Sequence, residues 1–159
     1  MEKAIYMNAE HGATIELSLP SELGYEKLVR QMVVWLAQRL EVASATIANI
    51  QTAVSEACIN AIEHGNQALA RLRVGVAMTV TPEYFEAIVS DEGVSPFCPP
   101  DQPPATMEEK LAGLAPARGM GLMLIHQLVD EAGFLACEPG EGNRFRMRIY
   151  WQPEPVRAS

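Results

Sequence analysis

Cysteine is scarce in this chain: Cys58, Cys98 and Cys137 are its only three in 159 residues. An odd, scattered set builds neither a disulfide framework nor a zinc spacing. The fold therefore has to rest on a core, and a reducing, cytoplasmic setting is expected. No apolar run approaches the roughly 20 residues that span a bilayer. The start, Met1-Glu2-Lys3-Ala4-Ile5, lacks the basic head and apolar block of a secretion signal. Positive charge is also short, with 12 Lys and Arg against 20 Asp and Glu, a net charge of −8. Binders of bare nucleic-acid backbone draw their affinity from Lys and Arg, and anionic membranes attract the same side chains. Direct nucleic-acid and membrane contacts are both disfavoured.

What is present is the balance of a soluble globular domain, 48% hydrophobic and 20% charged residues. The length fits one domain with a sizeable core, so a single domain over 1–159 is expected, with no repeat and no sharp composition break. Ala4 to Asn8 and Ala13 to Leu19 read as a hairpin around Glu10-His11-Gly12. In the second run Ile15, Leu17 and Leu19 alternate with Thr14, Glu16 and Ser18, the period of a half-buried strand. Ser21 is placed to cap a helix from about Leu23 to Leu40, with Leu28, Met32, Trp35, Leu36 and Leu40 on its apolar face.

Ser44 is placed to cap a second helix running to about His64, ended by Gly65 and Asn66. Ile47, Ile50, Val54, Ala57, Cys58 and Ala61 fall on one side of it; Glu56, Asn60 and Glu63 fall on the other. Alternating Val74, Val76, Met78 and Val80 predict a strand, turned by Thr81-Pro82-Glu83 into a second strand over Tyr84 to Ser90. Six of the 11 prolines then crowd between Pro96 and Pro116, which excludes continuous helix or strand. A lid over about 94–117, with a short helix from Thr106 to Leu114, is expected there. Leu122 to Glu131 reads as a buried helix. Phe134 to Cys137 and Arg144 to Trp151 read as a closing hairpin, and the tail from Gln152 as frayed. The order ββ-α-α-ββ-lid-α-ββ predicts an α+β fold, a two-layer sandwich with a mixed, mostly antiparallel sheet.

Three places carry chemistry. Glu56 and Asn60 project from one helix face; a carboxylate takes a proton and an amide oxygen suits a hard cation. His64 follows at the C-terminal end, where a cation is favoured. Asp91-Glu92-Gly93 leaves a strand, where Asp91 can accept a hydrogen bond from an exocyclic amine and Gly93 lets backbone approach a ligand. Arg118-Gly119-Met120-Gly121-Leu122 opens a helix, whose free N–H groups and macrodipole form an anion site, with Arg118 adding phosphate-matched donors. Taken singly, these fragments also describe a solvated helix face, an acidic turn and a helix cap. No Walker loop and no dinucleotide fingerprint is present.

In order and spacing, Glu-x-x-x-Asn-Ala-x-x-His-Gly, Asp-x-Gly-x-x-x-Phe and Arg-Gly-x-Gly-Leu-x-Leu-Ile resemble the N, G1 and G2 boxes of the gyrase/Hsp90/histidine-kinase/MutL (GHKL) ATPase superfamily. The branch most similar is that of bacterial anti-sigma factors that are serine-protein kinases. The resemblance spans about residues 13–150 and implies a Bergerat-type ATPase fold binding ATP and Mg²⁺. It implies Glu56 as catalytic base, Asn60 as Mg²⁺ ligand, and Asp91 as acceptor of the adenine amine. Gly93 would pass the base, and Arg118, Gly119 and Gly121 would sit at the phosphates, with His64, Phe97, Met120 and Leu122 completing the nucleotide-contacting set. Ser95 stands where the wider superfamily often has a second glycine. The implied activity is phosphorylation of a serine on an antagonist protein together with sequestration of a sigma factor, in a protein that can form homodimers. An ATP-dependent partner-binding switch without kinase activity and a histidine-kinase-type catalytic domain are the alternatives. Finally, Arg144, Arg146 and Arg148 alternate with Phe145, Met147 and Ile149, which predicts a basic row, either solvated or a partner or dimer surface.

Overall fold

The computed structural model describes residues 12–38, 42–93, 108, 112 and 120–150. Alternation in the sequence becomes a five-stranded sheet of β1 (Ala13–Pro20), β2 (Arg73–Val80), β3 (Tyr84–Ser90), β4 (Glu131–Phe134) and β5 (Arg144–Tyr150). The strand order is β1-β2-β3-β5-β4. All four pairings among the described residues are antiparallel, so the mixed character expected of the sheet is not seen among them. The helices are α1 (Glu26–Ala37), α2 (Ser44–Asn60) and α3 (Met120–Leu128). They cover one face only, with α2 between α1 and α3 and against β3. This is the α+β two-layer arrangement.

The core is what period-2 and period-3.6 burial place between the layers. Val74, Val76, Met78, Val80, Ala87, Val89, Phe145 and Met147 rise from the sheet to meet Val33, Leu36, Ile50, Val54, Cys58 and Ile125 from the helices. Each fully buried aliphatic side chain contributes roughly 1.5–3 kcal/mol. The β2–β3 turn is held by Thr81, whose Oγ1 accepts N–H bonds from Glu83 at 3.1 Å and Tyr84 at 3.0 Å.

Several expectations are corrected. In α1 the buried residues are Val29, Val33, Leu36 and Ala37, whereas Leu28 and Trp35 are 48% and 36% exposed. The helix carries two apolar stripes, and the valine stripe faces the sheet. Ser21 caps nothing: it is buried beside β1, its N–H bonded to the Leu72 carbonyl at 3.1 Å, and α1 begins only at Glu26. Ser44 is the first residue of α2 and makes no side-chain cap bond. The third helix starts at Met120 and ends at Leu128, because Glu131 is already in β4 opposite Arg148. The closing hairpin is therefore shifted, with β4 at Glu131–Phe134 instead of Phe134 to Cys137. The strand expected at Ala4 to Asn8, most of the segment 94–117 and the tail lie outside the described residues.

The arginine row lies on the face of the sheet away from the helices, and register supplies its counter-charges. Arg148 stands opposite Glu86 on one side and Glu131 on the other. Its Nε and one terminal nitrogen both donate to Oε2 of Glu86, at 3.0 and 2.6 Å, and its guanidinium lies 4.4 Å from the Tyr84 ring centre. Arg146 pairs with Glu131 at 3.3 Å. What the sequence presents as a bare basic row is a row of paired charges at those two positions.

Candidate active site

One continuous coil, α2 and the turn that follows it, carries both halves of the site. Glu56 and Asn60 are one turn apart on α2 and half-buried. They are not a solvated face, because the first turn of α3 lies over them. A methyl built on Gly121 would stand 2.8 Å from Oε2 of Glu56 and 3.4 Å from both Nδ2 and Oδ1 of Asn60. Nδ2 of Asn60 is buried without a hydrogen-bond partner. Leaving such a group unmet costs about 1–3 kcal/mol, which is the mark of a site completed by a ligand or water. The two ends of an amide are assigned from their bonding network, so it is the carboxamide as a whole that is short of a partner.

The turn that directly follows Asn60 builds the second half. From Ala61 to Gly65 the coil widens into a π turn, in which the Asn66 N–H reaches back to the Ala61 carbonyl at 2.8 Å. Such turns are frequent at functional sites. Gln67 and Ala68 follow at φ 52° and 55°, left-handed conformations that cost about 1–3 kcal/mol each. The detour brings Gly65 against Asp91, where any side chain at Gly65 would collide with the carboxylate. A side chain at Gly93 would in turn strike the Gly65 carbonyl, and one at Gly142 the Asp91 carbonyl. Three stretches of backbone thus close on one aspartate.

Asp91 is firmly held. Its Oδ1 accepts the N–H groups of Gly93 and Asn143, both at 3.0 Å, and its Oδ2 accepts Nδ2 of Asn143 at 3.2 Å. Beside it, buried Asn66 donates from Nδ2 to the Arg73 carbonyl at 2.9 Å and accepts the Glu92 N–H on Oδ1 at 2.8 Å. The Glu92 carboxylate takes the Arg73 N–H at 2.6 Å. Asn66 therefore ties the end of α2 to the start of β2 and the end of β3.

Sequence reasoning missed Gly142 and Asn143 altogether and read Asn66 only as a helix terminator. The signal available was a Gly-Asn pair directly before a strand, which we read as hairpin loop. Of the other expected residues, His64 is exposed on the π turn, Met120 and Gly121 open α3, and Leu122 packs against the core. Phe97, Arg118 and Gly119 lie outside the described residues. Within the expected lid, Glu108 and Ala112 are described, joined by an Ala112 N–H to Glu108 carbonyl bond of 2.8 Å.

No group of three or more His, Cys, Asp or Glu among the described residues could hold a metal ion. Mg²⁺ does not need one. It keeps several waters and takes one or two protein oxygens plus substrate phosphates. The unmet Asn60 amide, with the Glu56 carboxylate one turn away, fits that pattern.

Residues 19–149 match the family described as "Histidine kinase-like ATPase domain". The chain belongs to that family. Among curated relatives of this ATPase domain, it is similar to "Serine-protein kinase RsbW" of Bacillus velezensis, 32% identical over 124 residues covering 74% of each chain. The Bacillus subtilis protein of the same name is 30% identical over the same share. That of Bacillus cereus strain Q1 is 27% identical over 145 residues, 89% of this chain and 88% of the relative. Among solved structures, a crystal structure of RsbU and RsbW domains from a Mycobacterium tuberculosis protein superposes with TM-score 0.61 at 19% identity. That match covers 89% of this chain and a third (33%) of the other, and it establishes the shared fold. No described helix is long and apolar enough to cross a membrane.

Proposed function

We propose that the chain is an ATP-dependent serine-protein kinase that also acts as an anti-sigma factor. It phosphorylates a serine of an antagonist protein and sequesters a sigma factor by direct contact, in the cytoplasm and without touching nucleic acid. One observation carries this reading. Helix α2 sets the Glu56–Asn60 pair under the start of α3, and the π turn that continues it sets Gly65, about 7 Å beyond Asn60 along the axis, against Asp91. An anion-favouring helix start and an amine-accepting carboxylate are thereby held against two separate points of one continuous coil, as an extended nucleotide requires. The curated relatives' shared name, "Serine-protein kinase RsbW", supports the choice of a serine acceptor.

The chemistry asked of the chain is chiefly positioning and charge stabilisation. Asp91 accepts the exocyclic amine of adenine. The first turn of α3, with Gly121 giving close backbone approach, offers N–H groups to phosphate oxygens. Asn60 is the residue that would hold Mg²⁺, which when bound offsets phosphate charge. Glu56 takes the proton of the acceptor serine as its oxygen bonds to the γ-phosphorus and ADP departs.

The test is transfer of label from γ-labelled ATP, with Mg²⁺, to an antagonist-like protein encoded beside this chain. Transfer is expected, with Glu56→Gln abolishing it while ATP binding persists. Calorimetry showing no ATP binding would overturn the reading. Binding that alters partner affinity without transfer would leave an ATP-dependent switch in its place.

A further inference from the structure

The described helices cover one face of the sheet and leave the other bare. Register sorts the bare face into rows that cross β1, β2, β3 and β5. The middle row runs Glu16, Ala77, Ile88, Arg146. The rows beside it run Thr14, Thr79, Glu86, Arg148 and Ser18, Gly75, Ser90, Arg144. In the middle row one half holds an acid and a small residue, and the other half a large apolar residue and a base. Exposed Glu16 has no ion-pair partner among the described residues. Arg146 commits one terminal nitrogen to Glu131 and keeps further donors to spare.

We infer that this face is a homodimer interface, with a two-fold axis lying between the stacked sheets, parallel to the strands and midway between β2 and β3. Such an axis lays β1 over β5 of the second copy and β2 over its β3, and it lays each row on itself. Glu16 then meets Arg146 of the second copy, and Ile88 sits over Ala77. Both contacts occur twice, as a self-complementary interface requires, and sheets stacked face to face keep their strands nearly aligned. The flanking rows follow suit. Ser90 comes over Gly75, and Arg148, already held by Glu86, comes over Thr14. No like charges meet.

The alternative two-fold axis, running across the strands, sets Glu16 on Glu16 and Arg146 on Arg146, and like-charge juxtaposition opposes association. Charge also selects the occupant. The whole chain carries −8, yet the three rows hold three arginines and two glutamates. This is where an acidic molecule can receive a second acidic copy. The inference stands independently of the nucleotide reading.

Glu16→Arg and Arg146→Glu test it singly and together. Molar mass is measured by light scattering after size exclusion on the full chain. The samples are wild type, each variant alone and an equimolar mixture of the two variants, with thermal melts as the folding check. Wild type is expected to be a dimer. Glu16→Arg sets base on base and Arg146→Glu sets acid on acid, so each alone should raise the dimer Kd at least about tenfold. The mixture should regain the dimer, because in a mixed pair both contacts are again acid on base. If Arg146→Glu does not fold, Ile88→Asp decides, and should likewise be monomeric.

A monomeric wild type would overturn the inference. So would a dimer that the variants leave intact, since its contact would lie on another surface. Variants that stay monomeric when mixed would do the same, by removing this axis.

Discussion

Gly121 of α3 sits directly against Glu56 of α2, so close that a methyl group at residue 121 would stand 2.8 Å from the Glu56 carboxylate oxygen. The clash partner is the free end of a flexible side chain, which can swing aside. Gly121→Ala should therefore fold well, with helix propensity offsetting part of any packing cost, while displacing the proposed base. A melting temperature within a few degrees of wild type is expected, with at least a tenfold drop in phosphoryl transfer. Unchanged transfer would mean that Glu56 does not work from this position.

Gly65 and Gly93 present the opposite case, because backbone or a clamped carboxylate occupies the space a side chain would need. Neither can yield cheaply. Gly65→Ala and Gly93→Ala should each destabilise by about 3 kcal/mol or more and remove nucleotide binding. Gly133 on β4, with nothing within 4 Å of an added methyl, is the control: Gly133→Ala should shift stability by less than about 0.5 kcal/mol. Urea denaturation reads all three.

Cys58 predicts an alkaline weakness. Burial, reinforced by the negative charge of Glu26, pushes its thiol from 9.0 up to about 12. The folded state thus keeps a proton that the unfolded state gives up sooner. The stability tied to that proton is complete below pH 9 and drains away as the pH climbs toward 12. The urea midpoint should fall across that interval, and Cys58→Ala, although less stable at pH 7, should fall less. Parallel pH profiles for the two proteins would refute the assignment. Below pH 9 a thiol reagent should label partly exposed Cys137 while sparing Cys58.

The Arg148–Glu86 pair lies on the open sheet face and keeps some solvent access, with side chains 23% and 17% exposed. Its geometry is better than that of an ordinary surface pair, since the guanidinium also stacks on Tyr84. Hydrogen bonds to Tyr150 and Glu86 hold Arg148 still more firmly in its charged form. A double-mutant cycle with Arg148→Ala and Glu86→Ala should give a measurable favourable coupling. Arg148→Lys, which loses the fork and the stacking, should recover less than half. A coupling near zero would show that the row is solvated surface after all.

The parts of this protein that could be read from its sequence are those fixed by short-range periodicity. Glu56 and Asn60 share a face because four residues make about one turn, and the valines of β2 point inward because strands alternate. The apolar content of α1 was equally visible. Which of its two stripes faces the sheet depends on how the helix docks, so Leu28 and Trp35 were misplaced. Asn66 and Asn143 were invisible as site residues because their partners are 26 and 52 residues away. Register also turned the arginine row into ion pairs: nothing local in β5 tells that Glu86 and Glu131 lie across from Arg148. The π turn has no local signature either, since Ala61-Ile62-Glu63-His64-Gly65 would continue an ordinary helix equally well.

That wide turn fixes the phase between the two ends of the site. Each residue of an α-helix rotates the next by about 100°. Removing one residue between Ala61 and Gly65 would let the coil close into regular α geometry and swing Gly65 around the axis by roughly that angle. The Glu56–Asn60 end would keep its place under α3 while the contact with Asp91 was lost. The stretch from Glu56 to Asn66 therefore behaves as a single inheritable unit whose length is as constrained as its composition. Any chain that borrows this site has to keep the spacing along with the residues.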